Sequence, residues 1–265
     1  MKCALREVSV SIVDDAMKAP AVDALYKEIA AQGSIAFEDG KDGEQWASKT
    51  VSGVTTITVT PTVHPAASLY HELLHAKLKL AGYRQYTVWA SMDGGKRDWL
   101  KPIGEALDNE LQHARMSDEF LRAGFRPEEF YHDDDTDAFK HARRGLQGLR
   151  KTELPEKFLL PFMTVIAPLG FGSDDDRRKL RNMFKANSSD ATWAVLTGIE
   201  DIFARWRENP SLDPGDSIVA VLRLLGGYDR TWVGTSQQEF PQQGRFVGLP
   251  FTAQELLAWH ARQRQ

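Results

Sequence analysis

The sequence predicts an α+β fold with a mostly helical C-terminal half. Three observations carry that expectation. Residues 54–60 (VTTITVT) are a β-branched run ended by Pro61, which suits a pleated strand. Residues 66–80 (AASLYHELLHAKLKL) form an apolar helix with almost no polar face. From residue 97 onward, segment after segment repeats its apolar residues at helical spacing.

The elements follow in chain order. Residues 7–13 (EVSVSIV) alternate in period two and predict a half-buried strand. Residues 21–31 carry Val22, Leu25 and Ile29 at helical spacing, with Gly33 as a stop. Ser34 to Phe37 is a short strand candidate, and Asp39-Gly40 and Asp42-Gly43 mark turns. Pro65 suits the first helical position, and Lys77 and Lys79 favour the C-terminal end of the same helix. A long helix over 97–123 has Pro102 as a candidate break and Gly124 as its stop. Further helices are expected at 136–148, 156–167, 174–186, 190–207, 215–225 and 252–263. The Gly, Pro and Gln punctuation of 227–250 reads as a long irregular connection. The expected organisation is an α+β domain over 1–150 and a helical extension over 151–265 packed on it, as one continuous domain.

Composition narrows the class. The chain has 265 residues, 42% of them apolar and 26% charged, enough to build a core. Its net charge is -4, which argues against a nucleic-acid surface spread over the protein. A single cysteine, Cys3, excludes an intrachain disulfide and a thiolate-rich zinc site. The first residues lack an apolar core of the signal-peptide kind, and no apolar run reaches membrane-spanning length. The expectation is a soluble, cytoplasmic protein without nucleic-acid or membrane partners.

The chemistry concentrates in His71-Glu72-Leu73-Leu74-His75. Histidines at i and i+4 stack on one helix face, so both imidazoles can reach one metal ion. Neutral imidazole suits Zn(2+), and the glutamate between them can hold and deprotonate a metal-bound water. The surrounding helix is apolar (Leu69, Leu73, Leu74, Leu78, Leu80), so three polar side chains buried in it need partners.

A β-branched strand, a turn, and then an apolar helix bearing HELLH resembles the zincin metallopeptidases. The resemblance covers about residues 50–125. It implies a mixed sheet packed on the HExxH helix and on a second helix that supplies a ligand. It also implies an edge strand that pairs with extended peptide, for which residues 54–60 are the candidate, although an ordinary core strand fits them equally well. The longer metzincin pattern is absent, since Leu78 and Ala81 stand where Gly and His are required. The resemblance is therefore gluzincin-like, with the third ligand on a second helix.

That helix holds three candidates. Glu110 shares a stripe with Ile103, Leu107, Ala114 and Leu121, where a lone carboxylate is costly, and it is the first choice. Glu105 matches a gluzincin spacing through Asn109. His113 lies one turn after Glu110 and can bind metal or donate a hydrogen bond to an oxyanion. The expected reaction is hydrolysis of a peptide bond in a peptide or protein substrate. His71, His75 and Glu110 would hold zinc, Glu72 would be the base and His113 would steady the oxyanion. The alternative is a metal-stabilised regulatory or interaction module without hydrolytic activity. Tyr131 and His132 read first as an anchoring aromatic and a surface histidine, with stabilisation of a tetrahedral intermediate as the lesser alternative, and Asp133, Asp134 and Asp135 as a solvated loop before a cation site. Trp193, Trp206 and Trp232 read as core.

Overall fold

The computed structural model describes residues 11–41, 44–94, 96–131, 138–167 and 174–263. Cys3, Asp42, Gly43, His132 and Asp133 to Asp135 lie outside the described residues. The architecture is α+β, mostly helix with two small sheets. The chain forms two compact units that interleave along it. One draws on Met1–Tyr83, Arg115–His141 and Pro168–Arg177, the other on Arg84–Ala114, Ala142–Ala167 and Arg178–Gln265. Three of the boundaries fall inside helices, and none falls at residue 150.

The first unit is built around β-strands β1 (Ser34–Asp39), β2 (Ala47–Val51) and β3 (Val54–Val59). Their order is β1–β3–β2, with β1 parallel and β2 antiparallel to β3. Ser52 (φ 51°) and Gly53 (φ 78°) close the β2–β3 hairpin. Two consecutive positive φ values match the twist of the flanking strands, and glycine takes the second at no steric cost. Thr55, Ile57 and Val59 alternate into the interior. One expectation is corrected here. Residues 54–60 were the candidate edge strand for extended peptide, but β3 is the middle strand, paired along both sides. Its β-branched composition reflects that central position.

Helix α1 (Pro20–Ala30) buries Val22, Leu25 and Ile29, and Pro20 opens it where a missing N–H costs nothing. Helix α2 (Pro65–Leu80) packs on α1 and on β2. Leu69 and Leu73 are fully buried in a core shared with Ile29, Ile57, Met116, Phe120 and Phe130. Burying each leucine contributes about 1.5–3 kcal/mol. Lys77, near the end of α2, bridges Glu28 at 3.1 Å and Glu119 at 2.8 Å. Before α1, residues 11–16 are helical, so the expected strand at 7–13 does not form over 11–13; residues 7–10 are not described.

Helix α3 (Arg97–Arg122) runs unbroken through Pro102. Its residues up to Ala114 belong to the second unit and those from Arg115 to the first. The second unit holds the antiparallel strands β4 (Val88–Ser91), β5 (Thr231–Gly234) and β6 (Arg245–Phe246), in that order across the sheet. The stretch expected to be an irregular connection therefore contains two strands. Four residues are too few to display a period, and β5 is buried at every position, so it shows no alternation. Helices α4 (Ala138–Leu146), α5 (Pro155–Ile166), α6 (Asp174–Asn187), α7 (Asp190–Glu208), α8 (Gly215–Leu225) and α9 (Ala253–Gln263) lie close to their expected spans. Trp206 on α7 is core, as expected, and its indole N–H donates to the Leu111 carbonyl of α3 at 2.8 Å. Among the described residues no helix is long and apolar enough to cross a membrane.

Candidate metal centre

Helix α2 is regular from Pro65 to Leu80, so His71 and His75 stand one turn apart on the same side. Their Nε2 atoms are 3.1 Å apart, and their ring centroids 4.9 Å. Both are half-buried, whereas Glu72 between them is only 6% exposed. The ring of Phe130 meets His71 edge-on at 4.6 Å, and Phe120 packs against Phe130 at 4.9 Å. This aromatic wall limits rotation of the His71 imidazole.

His113 on α3 joins them. One donor atom from each of His71, His75 and His113 falls within 4.8 Å of the others. His113 is the most buried of the three, at 3% exposure. Its Nδ1 lies 3.2 Å from Oε2 of Glu110, one turn earlier on the same helix. In the neutral Nδ1–H tautomer this contact is a hydrogen bond to the carboxylate, with Nε2 as the acceptor nitrogen. A carboxylate on the far nitrogen fixes tautomer and orientation in metal-binding histidines generally.

The donor set fits a zinc-like ion. Bonds of 2.0–2.1 Å in tetrahedral geometry place neighbouring nitrogens about 3.3–3.4 Å apart. The His71–His75 separation of 3.1 Å is close to that. All three donor atoms lie within 4.8 Å of one another, the scale of a single tetrahedral site. Three neutral imidazoles favour Zn over hard cations such as Mg or Ca, which take oxygen.

Each expected site residue can now be placed. His71 and His75 converge as the spacing requires. Among the three candidates on α3, His113 is the one grouped with them. Glu110, the first choice for that ligand, is outside the group and instead holds His113. Glu105 points to solvent, with its side chain 62% exposed and Oε1 3.7 Å from Lys101. Tyr131 sits beside Phe130, ring to ring at 4.9 Å. Phe130 escaped the sequence reading. Nothing local marks it, because its contact with His71 joins residues far apart in the chain. Comparisons with protein-family models, with curated proteins and with solved structures find no match to this chain.

Proposed function

We propose that the chain is a zinc-dependent metallopeptidase in which His71, His75 and His113 are the metal ligands and Glu72 is the general base. The observation that carries this reading is the convergence of the three imidazoles. Three protein donors leave one tetrahedral position for water or substrate, whereas structural zinc sites fill all four from the protein. Zinc, when bound, supplies a Lewis acid that polarises a carbonyl and acidifies water.

The chain's own residues do the rest. Glu72 follows His71 directly on a regular helix and is buried, where it accepts a proton from the attacking water and delivers it to the leaving amine. Glu110 acts through His113, as a positioning residue rather than a ligand. As a ligand, His113 is no longer the oxyanion donor, so that role is left unassigned. The choice of a peptide bond as substrate is supported by the HELLH resemblance, and a cytoplasmic setting by the single cysteine.

Glu72→Gln tests the base. The variant keeps the shape of the helix, so bound zinc should persist while cleavage of a mixed quenched-fluorescent peptide set falls at least about 100-fold. Equal rates for variant and parent would remove Glu72 from the mechanism. A parent that binds zinc and cleaves no peptide would favour the metal-stabilised interaction module.

A further inference from the structure

A cavity of about 450 Å³ lies wholly within the first unit, lined by residues of α1, of α2 and of the last turn of α3. Its volume is in the range of small-molecule sites, ~300–1,000 Å³. Ala21, Ala24 and Leu25 of α1, with Ala123 just after α3, give it an apolar wall. Three alanines in that wall leave the room that larger side chains would fill.

Four charged side chains face this wall. Lys77 bridges two of the others, Glu28 at 3.1 Å and Glu119 at 2.8 Å. Only Oε1 of Glu119 takes part, and its Oε2 has no partner among the described residues. Arg122 donates from Nε to the Asp118 carbonyl at 3.1 Å, and its two terminal nitrogens make no hydrogen bond or ion pair among the described residues. Glu119 and Arg122 stand one turn apart on α3, a spacing at which opposite charges can pair. They do not pair here, because Lys77 draws the carboxylate toward α2 and the Asp118 carbonyl holds the guanidinium back. A free carboxylate oxygen and a free guanidinium end therefore flank one cavity. Lys77 and Arg122 balance Glu28 and Glu119, so the lining favours a ligand that carries both signs over one with a net charge.

Tyr70 of α2 supplies the buried polar group. It is only 5% exposed, and its ring is held by Phe125 at 5.0 Å and Phe120 at 6.1 Å. Its hydroxyl makes no hydrogen bond among the described residues, although a buried phenol normally finds a partner. Burial first, and the Glu119 carboxylate next, raise the phenol above its ordinary range, while Lys77 lowers it, Glu28 raises it and Arg122 lowers it. The hydroxyl thus feels all four charged groups of the lining, which sets it at the cavity, and it stays a donor at neutral pH. We infer that this cavity binds a free α-amino acid with an apolar side chain, its carboxylate on the Arg122 guanidinium and the Tyr70 hydroxyl, its ammonium on Glu119 and its side chain against the alanines. One zwitterion supplies all three missing partners at once. The site needs no metal ion.

The test is calorimetry on the full chain with L-leucine, with 4-methylpentanoate, which lacks the ammonium, and with 3-methylbutylamine, which lacks the carboxylate. Leucine should saturate the site at millimolar concentration. The amine should bind at least about tenfold more weakly, because it forfeits the charge-assisted bonds from both Arg122 and Tyr70. The deaminated acid should bind about two- to fivefold more weakly, the scale of one exposed ion pair. Arg122→Gln and Glu119→Gln change side chains that reach solvent and leave the fold intact, and each should weaken leucine about two- to fivefold. Tyr70→Phe keeps the ring packing and should weaken leucine about fivefold, the scale of one hydrogen bond. The two α3 variants decide the outcome if Tyr70→Phe fails to fold. They also separate this site from an amino acid held on a metal ion, which would be indifferent to both. No saturation at millimolar leucine, equal binding of either analogue, or parental affinity in Arg122→Gln or Glu119→Gln would each overturn the site.

Discussion

Helices α2 and α3 supply the candidate metal centre in opposite ways. Helix α2 carries His71, Glu72 and His75 within five consecutive residues, set into an apolar surround that includes Leu69, Leu73 and Leu74. Helix α3 supplies a single imidazole and buries polar residues on two sides, Glu110, His113 and Ser117 on one and Asp108 and Gln112 on the other. On α2 the core fixes the helix and the polar residues are the exception. On α3 polar residues hold one another, as Gln112 donates to Asp108 at 2.9 Å and His113 to Glu110 at 3.2 Å. A ligand pair on one helix needs only helical regularity. A ligand from a second helix needs that helix anchored and its side chain aimed, and those tasks fall to Trp206 and Glu110.

Substitutions can break or sharpen this contrast. The largest effect is expected from the pair on α2. His71→Ala or His75→Ala should empty the site, and zinc should not raise the thermal midpoint of either variant, whereas it is expected to raise that of the parent. Inductively coupled plasma analysis with thermal melts reads both, and one zinc per chain in both variants would place the metal elsewhere. Next comes the surround of α2. Leu73 is fully buried, so Leu73→Ala should cost about 2–5 kcal/mol in a denaturant titration. A loss under about 1 kcal/mol would contradict the packing described for α2.

The positioning residue of α3 should give a smaller change than a ligand. Glu110→Gln keeps the size of the side chain but weakens the hold on Nδ1 of His113, so zinc affinity should fall about 10–100-fold while a full complement still loads at saturating metal. Complete loss of zinc in that variant would restore Glu110 as a ligand. The smallest effect is expected from Glu105→Ala. Its side chain is solvent-exposed, so stability should stay within about 0.5 kcal/mol and zinc binding should not change.

The same contrast explains what the sequence made legible. The pairing of His71 with His75 is a local fact of helix geometry, readable from the four-residue spacing. The extents of α2, α3 and α5 to α9 were readable because long amphipathic or apolar runs announce themselves. The third member of the cluster was readable only as a choice. Glu110 and His113 are three residues apart and share a face of α3, so facing alone cannot separate them. What separates them is the 3.2 Å contact between the two side chains and the grouping of His113 with residues some 40 positions earlier. Strands β4 to β6 were hidden for a related reason. They are short, and β4 pairs with β5 across the sequence, Val88 with Gly234. The central place of β3 depends equally on partners the strand itself does not name.

The most direct test of the account is a zinc competition titration of His113→Ala beside Glu110→Gln and the parent, against one chelator. Zinc bound through three histidines predicts a stable single site in the parent, a weakened but loadable site in Glu110→Gln, and an empty site in His113→Ala at chelator levels the parent withstands. A full zinc complement with parental affinity in His113→Ala would contradict it.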